Sequence, residues 1–402
     1  MYQSFVMLAG FLLVYSLVAG RVERTWISGA MIFTAFGVLV GPLVLDIFRI
    51  SIQAETLRVL AELTLALVLF TDAANTDVKK LRTVEALPIR LLVIGLPLSI
   101  ALGYVGGMVV FPDLGWVEIA LLTTMLAPTD AALGKAVVSN RDVPASLREG
   151  LTAESGLNDG ICVPILLLFL GLAESESPED RGVGFALHLF AEGIGIGVGV
   201  GVAVALMGAV LIRFCVSRDW VDGAWKQIPV VALAFLCFGT AQWMGGSGFI
   251  AAFVGGLVFG SLIHGYREPV LRAAEGTGNA FSVITWVIFG AAVIGQVGDV
   301  FDLRALLYAL LSLTVIRMIP VMVCLAGYSA TVGEKLFIGW FGPRGLASVV
   351  FCVMVVNSGL AQGQRLANVV VYTVVLSVVL HGVTANPMAR ALGRSVRTPK
   401  GA

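Results

Sequence analysis

The sequence predicts an all-α polytopic membrane protein, and three observations support this fold class. Hydrophobic residues make up 58% of the 402 residues, and charged residues make up only 13%. The mean hydropathy of +0.95 is far above that of soluble globular domains. The apolar stretches lack strict alternation and are about 20 residues long, the length with which a helix crosses a bilayer. Because a backbone in lipid must satisfy its own hydrogen bonds, we expect helices rather than barrel strands.

Apolar stretches bounded by charge, proline or glycine predict about thirteen transmembrane helices in one transporter domain that covers residues 1–402. The first stretch, from about Phe5 to Ala19, is taken as a helix rather than a cleaved signal because no basic segment precedes it. The helices are expected to begin near residues 4, 27, 57, 86, 115, 148, 184, 227, 247, 277, 304, 333 and 366.

The distribution of basic residues predicts the orientation of the chain in the membrane. With the N-terminus outside and the C-terminus in the cytoplasm, the inner segments hold 18 lysines and arginines and the outer loops hold five. This excess on the inner side agrees with the positive-inside rule. No basic stretch is dense enough to neutralise several phosphates, so a nucleic-acid partner is not expected.

Three carboxylates inside apolar stretches identify the expected functional region. Asp130 follows Pro128 and Thr129, and Glu154 and Asp159 lie in the segment Glu-Ser-Gly-Leu-Asn-Asp. An ionised side chain at mid-membrane costs roughly 2.5–3.5 kcal/mol on insertion scales. Three acids so close together in the sequence therefore need a structural or functional reason.

These acids come with the oxygen atoms that a small hard cation prefers. A helix over residues 154–159 aligns one polar stripe, which consists of Glu154, Ser155, Asn158 and Asp159. Pro128 removes a backbone donor, so the preceding helix is expected to kink or unwind and to expose carbonyl oxygens. Such ligands do not suit transition metals. A buried carboxylate that holds either a proton or a cation would couple the two in an exchange cycle.

A second broken helix is predicted at residues 342–345, Gly-Pro-Arg-Gly, seven helices after the first. The odd offset means that the two helices run in opposite directions, as in inverted repeats whose discontinuous helices meet around a substrate site. The repeats are expected at about residues 1–173 and 226–393, with a connector helix at about 184–215. Arg317 and Arg344 lie inside predicted helices, and pairing with the acids is the least costly solution.

Three motifs together resemble the monovalent cation/proton antiporter family of the NhaP type, which is related to eukaryotic sodium/proton exchangers. They are Ala-Pro-Thr-Asp-Ala at 127–131, Glu-Ser-Gly-Leu-Asn-Asp-Gly at 154–160 and Gly-Pro-Arg-Gly-Leu-Ala at 342–347. The resemblance implies a homodimer in the cytoplasmic (inner) membrane of a prokaryote, with a role in pH homeostasis. It also implies exchange of one cation for one proton, because Asn158 stands where a second acid would make the cycle electrogenic. Sodium is the favoured cation, and lithium and potassium stay open.

The resemblance also implies roles for individual residues. The cation, sodium, would bind to Asp130, Ser155, Asp159 and the Thr129 carbonyl. Asn158 would hold Thr129, Glu154 would pair with Arg317, and Arg344 would stabilise the second broken helix. Asp72 resembles an acid that helps to hold the ion in this family, although a salt bridge to Lys79 or Lys80 is a competing interpretation. No cofactor is expected besides the transported ions.

Two other classes stay open at this point. An intramembrane aspartyl protease would use Asp130 and Asp159 as a dyad that shares a proton. A cation channel would line its pore with acids, although no selectivity-filter segment repeats in the chain. The five cysteines lack CxxC spacing, and the three histidines are expected toward loops and helix ends, so no zinc or haem site is predicted. These histidines are His188, His264 and His381.

Overall fold

The computed structural model describes most of the chain. The described residues are 2–22, 25, 27–48, 55–76, 87–130, 133, 137, 140, 142–174, 183–221, 225, 228–263, 267–294 and 302–397. Within these ranges the structure is helical and contains no β-strand, which confirms the predicted all-α class. Among the described residues, six helices are long and apolar enough to cross a membrane, and five shorter apolar helices have 10–17 residues.

Fourteen helices follow one another in the described part of the chain. They are α1 Tyr2–Val22, α2 Gly29–Val40, α3 Glu55–Asn75, α4 Leu87–Val110, α5 Trp116–Met125, α6 Ala145–Glu174, α7 Val183–Ser217, α8 Ile228–Trp243, α9 Gly248–Leu262, α10 Arg267–Ile288, α11 Leu303–Cys324, α12 Val332–Trp340, α13 Leu346–Asn357 and α14 Gly363–Arg397. A π-helical turn lies inside α4, and another continues α10.

The predicted helix starts lie within three residues of the observed ones, with one exception. Helix α10 begins at Arg267, ten residues before the predicted start. Its first turns carry Arg272 and Glu275, so they do not form an uninterrupted apolar stretch. The second predicted break divides one predicted helix into α12 and α13.

The chain divides into two compact units. The first comprises Met1–Arg58, Glu85–Asn158 and Val283–Ala402, and the second comprises Val59–Val84 and Asp159–Ser282. In the second unit, α7 packs closely on α9, because Gly201 leaves its α7 face open to the backbone of Ala251. The proposed inverted repeats and their boundaries stay a prediction.

The apolar core of the first unit supports the helices that carry the candidate site. It joins α4, α6, α11, α12 and α14 through buried side chains that include Leu91, Leu147, Val321, Phe337 and Ala389. A buried polar contact adds to this packing, since the Tyr308 hydroxyl on α11 donates to the Gly103 carbonyl oxygen on α4, at 2.9 Å. These contacts hold α11 beside α4.

An exposed ion cluster ties three segments of the first unit together. The Asp113 carboxylate follows α4 and accepts hydrogen bonds from Arg304, at 3.1 Å, and from Arg365. The hydrogen bond from Arg365 holds the pKa of the Asp113 carboxyl below its usual value, and the charge of Arg304 acts in the same direction. The carboxylate is therefore ionised throughout the neutral range.

Replacing Asp113 with asparagine is expected to lower the melting temperature slightly and by an equal amount at pH 6 and pH 9. A carboxyl whose pKa is lowered by folding stabilises the protein fully above the unfolded pKa of about 4, and this contribution is lost as the pH falls through the folded value. The difference between wild type and variant should therefore begin to shrink near pH 4 and disappear only below the folded pKa. Thermal melts in detergent over this pH range measure it, and a difference that grows in acid would contradict the assignment.

Candidate functional site

The first helix break follows α5, which ends at Met125. Helix α6 satisfies the polar groups that the break frees at Thr129. The Thr129 amide donates to Asn158 Oδ1 at 3.3 Å, and Asn158 Nδ2 donates to the Thr129 hydroxyl at 2.7 Å. The Ser155 hydroxyl donates to the Thr129 carbonyl oxygen at 2.6 Å. All three residues are buried, so these bonds replace those that the unwound segment cannot make with itself.

The second break separates α12, which ends at Trp340, from α13, which begins at Leu346. The two breaks meet directly, because the Asp130 amide donates to the Pro343 carbonyl oxygen at 2.8 Å. Pro128 and Pro343 both lack a backbone donor, which favours a non-helical backbone at each break. The two discontinuous helices are thus joined in the first unit by a main-chain hydrogen bond.

The Asp130 carboxylate caps the first turn of α13. Its Oδ2 accepts from the Leu346 amide at 2.9 Å, and its Oδ1 accepts from the Leu133 amide at 3.3 Å. The N-terminus of a helix carries free N–H groups and a partial positive charge, so an anion there is stabilised. Asp130, which lies at the first break, therefore stabilises α13, which follows the second break.

Arg344 makes the reciprocal contact from the second break to the first. Its Nη1 donates to the carbonyl oxygens of Ala127 and Pro128, at 2.5 and 3.1 Å. These carbonyls lie just after α5, where the helix dipole places partial negative charge. The side chain is 1% exposed, so the guanidinium lies within the protein. The first break thus supplies a negative charge to the start of α13, and the second break supplies a positive charge to the carbonyl oxygens after α5.

Glu154 and Arg317 form a buried ion pair close to these breaks. Arg317 Nη1 and Nη2 donate to the two carboxylate oxygens of Glu154 at 2.6 and 2.8 Å, a bidentate arrangement. Both side chains are at most 3% exposed. Neither charge would be tolerated there alone, and the pair joins α6 to α11.

The two glycines of the second break are required for close approach rather than for an unusual backbone conformation. A Cβ atom at Gly342 would overlap the Nε atom of Arg317, and one at Gly345 would overlap the carboxylate of Asp130. Gly345 has a φ of −147°, which other residues also adopt. The motif Gly-Pro-Arg-Gly therefore lets the backbone contact both charged side chains.

Replacing Gly345 with alanine is expected to impair the cation exchange that the family resemblance implies and to cost about 1–3 kcal/mol of stability, because the new methyl group displaces the Asp130 carboxylate. Gly239→Ala on α8 is a matched control, since a Cβ there meets no described atom within 4 Å. Ion flux in proteoliposomes and thermal melts in detergent measure the two effects. Equal behaviour of the two variants would show that the contact with Asp130 is unimportant.

The structure places Asp159 and Asp72 in the second unit. Asp159 directly follows Asn158 in α6, one turn after Ser155 on the same helix face, and is 8% exposed. Asp72 lies in the last turn of α3 and is partly buried. Lys79 and Lys80, its alternative partners, are outside the described residues. The first unit brings together the other seven predicted site residues, which are Thr129, Asp130, Glu154, Ser155, Asn158, Arg317 and Arg344.

Two residues near the breaks were missed from the sequence, and a third, Pro343, was expected only to break the helix. Pro343 contributes its carbonyl oxygen, whereas Ser377 and His381 contact the second break from α14. The expectation that His381 lies toward a helix end was wrong, because it is 1% exposed near the middle of α14. Polar residues four apart in an apolar helix were the signal that would have identified Ser377 and His381.

The helices and the two charge-compensated breaks define an integral membrane protein of the secondary-transporter class. The chain belongs to the sodium/hydrogen exchanger family, whose transmembrane model matches residues 8–391. This confirms the predicted family and a transporter rather than an enzyme.

Related proteins agree with this assignment. The chain is 26% identical to a Na⁺/H⁺ antiporter of Saccharomyces cerevisiae over 366 residues, which cover 85% of this chain and 36% of the yeast protein. It is 23% identical to the K⁺/H⁺ antiporter NhaP of Alkalimonas amylolytica over 403 residues, which cover 98% of this chain and 68% of that protein. The chain thus spans about a third and about two thirds of these relatives. Neither relative supports the protease or channel alternatives.

The fold also matches a solved structure, that of the sodium proton antiporter MjNhaP1 from Methanocaldococcus jannaschii at pH 8. The TM-score is 0.76 at 21% sequence identity, and the match covers 94% of this chain and 99% of that chain. At this identity the likeness establishes the fold alone.

Proposed function

We propose that this chain is a secondary antiporter that exchanges a monovalent cation, sodium in the first instance, for a proton by alternating access. The observation that carries this proposal is the meeting of the two helix breaks. There the Asp130 amide binds the Pro343 carbonyl, and Arg344 binds the carbonyls of Ala127 and Pro128. This reciprocal arrangement keeps irregular backbone and a carboxylate inside an otherwise apolar helical protein, as a transported ion requires.

Oxygen ligands for the cation are present at the first break. The Ser155 hydroxyl and the Thr129 carbonyl oxygen lie 2.6 Å apart and share a hydrogen bond. A cation near them would take the lone pairs of both oxygens, and the hydroxyl proton would turn away. The same side chains therefore satisfy each other without the ion and can serve it when it binds.

The two acids of the proposed exchange step have different surroundings. Both oxygens of Asp130 already accept main-chain N–H bonds, one from Leu346 at the start of α13 and the other from Leu133 after the first break. Asp159 lies one turn after Ser155 on α6, and we assign to it the alternate binding of proton and cation. A single carboxylate that holds one proton or one monovalent cation exchanges one charge for one charge. The proposed exchange is therefore electroneutral, and Asp72 assists as a further oxygen ligand.

The wider setting is part of the same proposal. The excess of lysine and arginine in the predicted inner segments supports an outside N-terminus and a cytoplasmic C-terminus. The family resemblance supports a homodimer in the cytoplasmic membrane of a prokaryote.

Reconstituted proteoliposomes with a pre-formed pH gradient test the proposed function. Addition of sodium, lithium or potassium chloride should collapse the gradient, with choline chloride as the control, and a membrane-potential probe should not respond. Ion current without proton movement would identify a channel. A potential that builds up during exchange would overturn the electroneutral cycle, and no response to any of the three cations would overturn antiport itself. The order of the three cations identifies the substrate.

A further inference from the structure

We propose that Ser377 and His381, on α14, are positioning residues that hold the two ends of the second helix break through one chain of hydrogen bonds. This inference rests on the proposed antiport, in which the second break holds Arg344 and Pro343 against the first. Both residues are at most 1% exposed, and the Ser377 and His381 side chains lie one helical turn apart.

Ser377 satisfies the backbone of the residue that makes the charge contact between the breaks. Its Oγ accepts the Arg344 amide at 2.7 Å. The break removes the helical partner of this amide, and water does not reach a buried group to replace it. The guanidinium of the same residue donates to Ala127 and Pro128. The Ser377 hydroxyl therefore fixes the backbone of Arg344, from which the guanidinium reaches the first break.

His381 holds the other end of the break. Its Nε2 lies 2.9 Å from the carbonyl oxygen of Trp340, the last residue of α12. A carbonyl only accepts, so this bond requires a proton on Nε2. Its Nδ1 lies 3.2 Å from Ser377 Oγ and 2.9 Å from the Ser377 carbonyl oxygen. The bond to Trp340 persists whether Nδ1 accepts from the hydroxyl or carries a second proton.

The contact with Trp340 continues along the same face of α14. The indole Nε1 donates to the Thr384 hydroxyl at 2.9 Å, and the indole ring lies against the His381 imidazole with centroids 5.1 Å apart. Positions 377, 381 and 384 are on one face of a helix. One rigid helix thus holds the end of α12 and the Arg344 amide at a fixed separation, and this sets the course of residues 341–345 between them.

The hydrogen bonds of Ser377 and His381 to the second break, here called the clamp, should affect cation affinity. If the clamp is lost, Arg344 and the Pro343 carbonyl lose their fixed position at the first break, where the cation is proposed to bind. The half-saturating cation concentration should rise, whereas the maximal rate and the folded fraction should change little. A purely structural role would instead lower the amount of folded protein and leave the half-saturating concentration unchanged.

The test compares Ser377→Ala and His381→Phe with the matched control Thr373→Val in the full chain. Thr373 is a fully buried hydroxyl one turn earlier on α14, and it donates to Val369 of the same helix. Sodium-dependent exchange in proteoliposomes should show a roughly five- to tenfold higher half-saturating concentration for the two clamp variants. Thr373→Val should match wild type. The double variant should equal the stronger single one, because both bonds belong to one chain.

Conservative variants and a transport-independent measurement complete the test. Ser377→Thr and His381→Gln keep an acceptor and a donor, so each should recover most of the wild-type affinity. Hydrogen exchange at residues 341–346 should be faster in Ser377→Ala than in Thr373→Val. Wild-type exchange with unchanged affinity in both clamp variants would overturn the inference. If wild type showed no exchange, the antiport proposal would fail, and equal hydrogen exchange in Ser377→Ala and Thr373→Val would separately overturn the clamp.

Discussion

Replacing Asp159 with asparagine is expected to abolish cation-dependent proton exchange while the protein still folds. The amide has nearly the shape of the carboxylate, but it neither takes up a proton in the physiological range nor supplies the charge that a cation needs. Gradient collapse in proteoliposomes should fall to the level of protein-free vesicles. The melting temperature in detergent should stay close to that of wild type.

Asp219→Asn provides a matched control, because it makes the same chemical change at an exposed turn. Asp219 has a φ of 57°, a conformation that asparagine also tolerates. Asp159→Glu is the second comparison, since it keeps a titratable carboxyl and should retain measurable exchange with an altered pH profile. If Asp159→Asn exchanged ions at the wild-type rate, the assignment of Asp159 as the proton and cation carrier would be wrong.

Breaking the Glu154–Arg317 pair is expected to have the largest effect on stability. Arg317→Met leaves the Glu154 carboxylate buried without its bidentate partner, and removal of one member of such a pair costs about 3–5 kcal/mol. Glu154→Leu leaves the opposite charge and should be comparably destabilising. Thermal melts and the yield of monodisperse protein in detergent measure both effects.

The double variant Glu154→Leu with Arg317→Met tests whether the two charges matter only because they neutralise each other. It leaves neither charge buried alone, so it should recover most of the stability that either single variant loses. Additive losses would show that the two side chains act independently and would contradict the observed pairing. Recovery of exchange along with stability would show that the pair has only a structural role. This is the expected result, because the two opposite charges cancel each other.

Much of the site was predictable because its chemistry is costly in an apolar chain. Asp130, Glu154, Arg317 and Arg344 stand out in the sequence, since each charge in an apolar helix needs a partner or a ligand. The positions of Pro128 and of the Gly-Pro-Arg-Gly segment likewise predict where a helix must break. Local composition therefore identified the participants and the two breaks.

Pairing and orientation were less accessible, because they depend on residues far apart in the chain. Asp130 and Leu346 are 216 residues apart, yet the carboxylate of one caps the helix that begins at the other. Gly345 matters because its missing side chain makes room for that carboxylate. His381 was misplaced because the sequence shows its polar neighbour Ser377 one turn away but does not show the Trp340 carbonyl that its ring meets.

The sequence by itself determined the membrane-protein class, most helix starts, the two breaks and which charged residues need partners inside the apolar helices. These follow from local hydropathy, helix-breaking residues and the high cost of burying a charge, all of which can be evaluated along the chain. Only the tertiary structure decided that Asp130 caps α13 and that Arg344 binds the carbonyl oxygens after α5. It also decided that Ser377 and His381 contact the second break. These arrangements depend on which unsatisfied backbone groups come together when the helices pack, and a linear sequence does not contain that proximity.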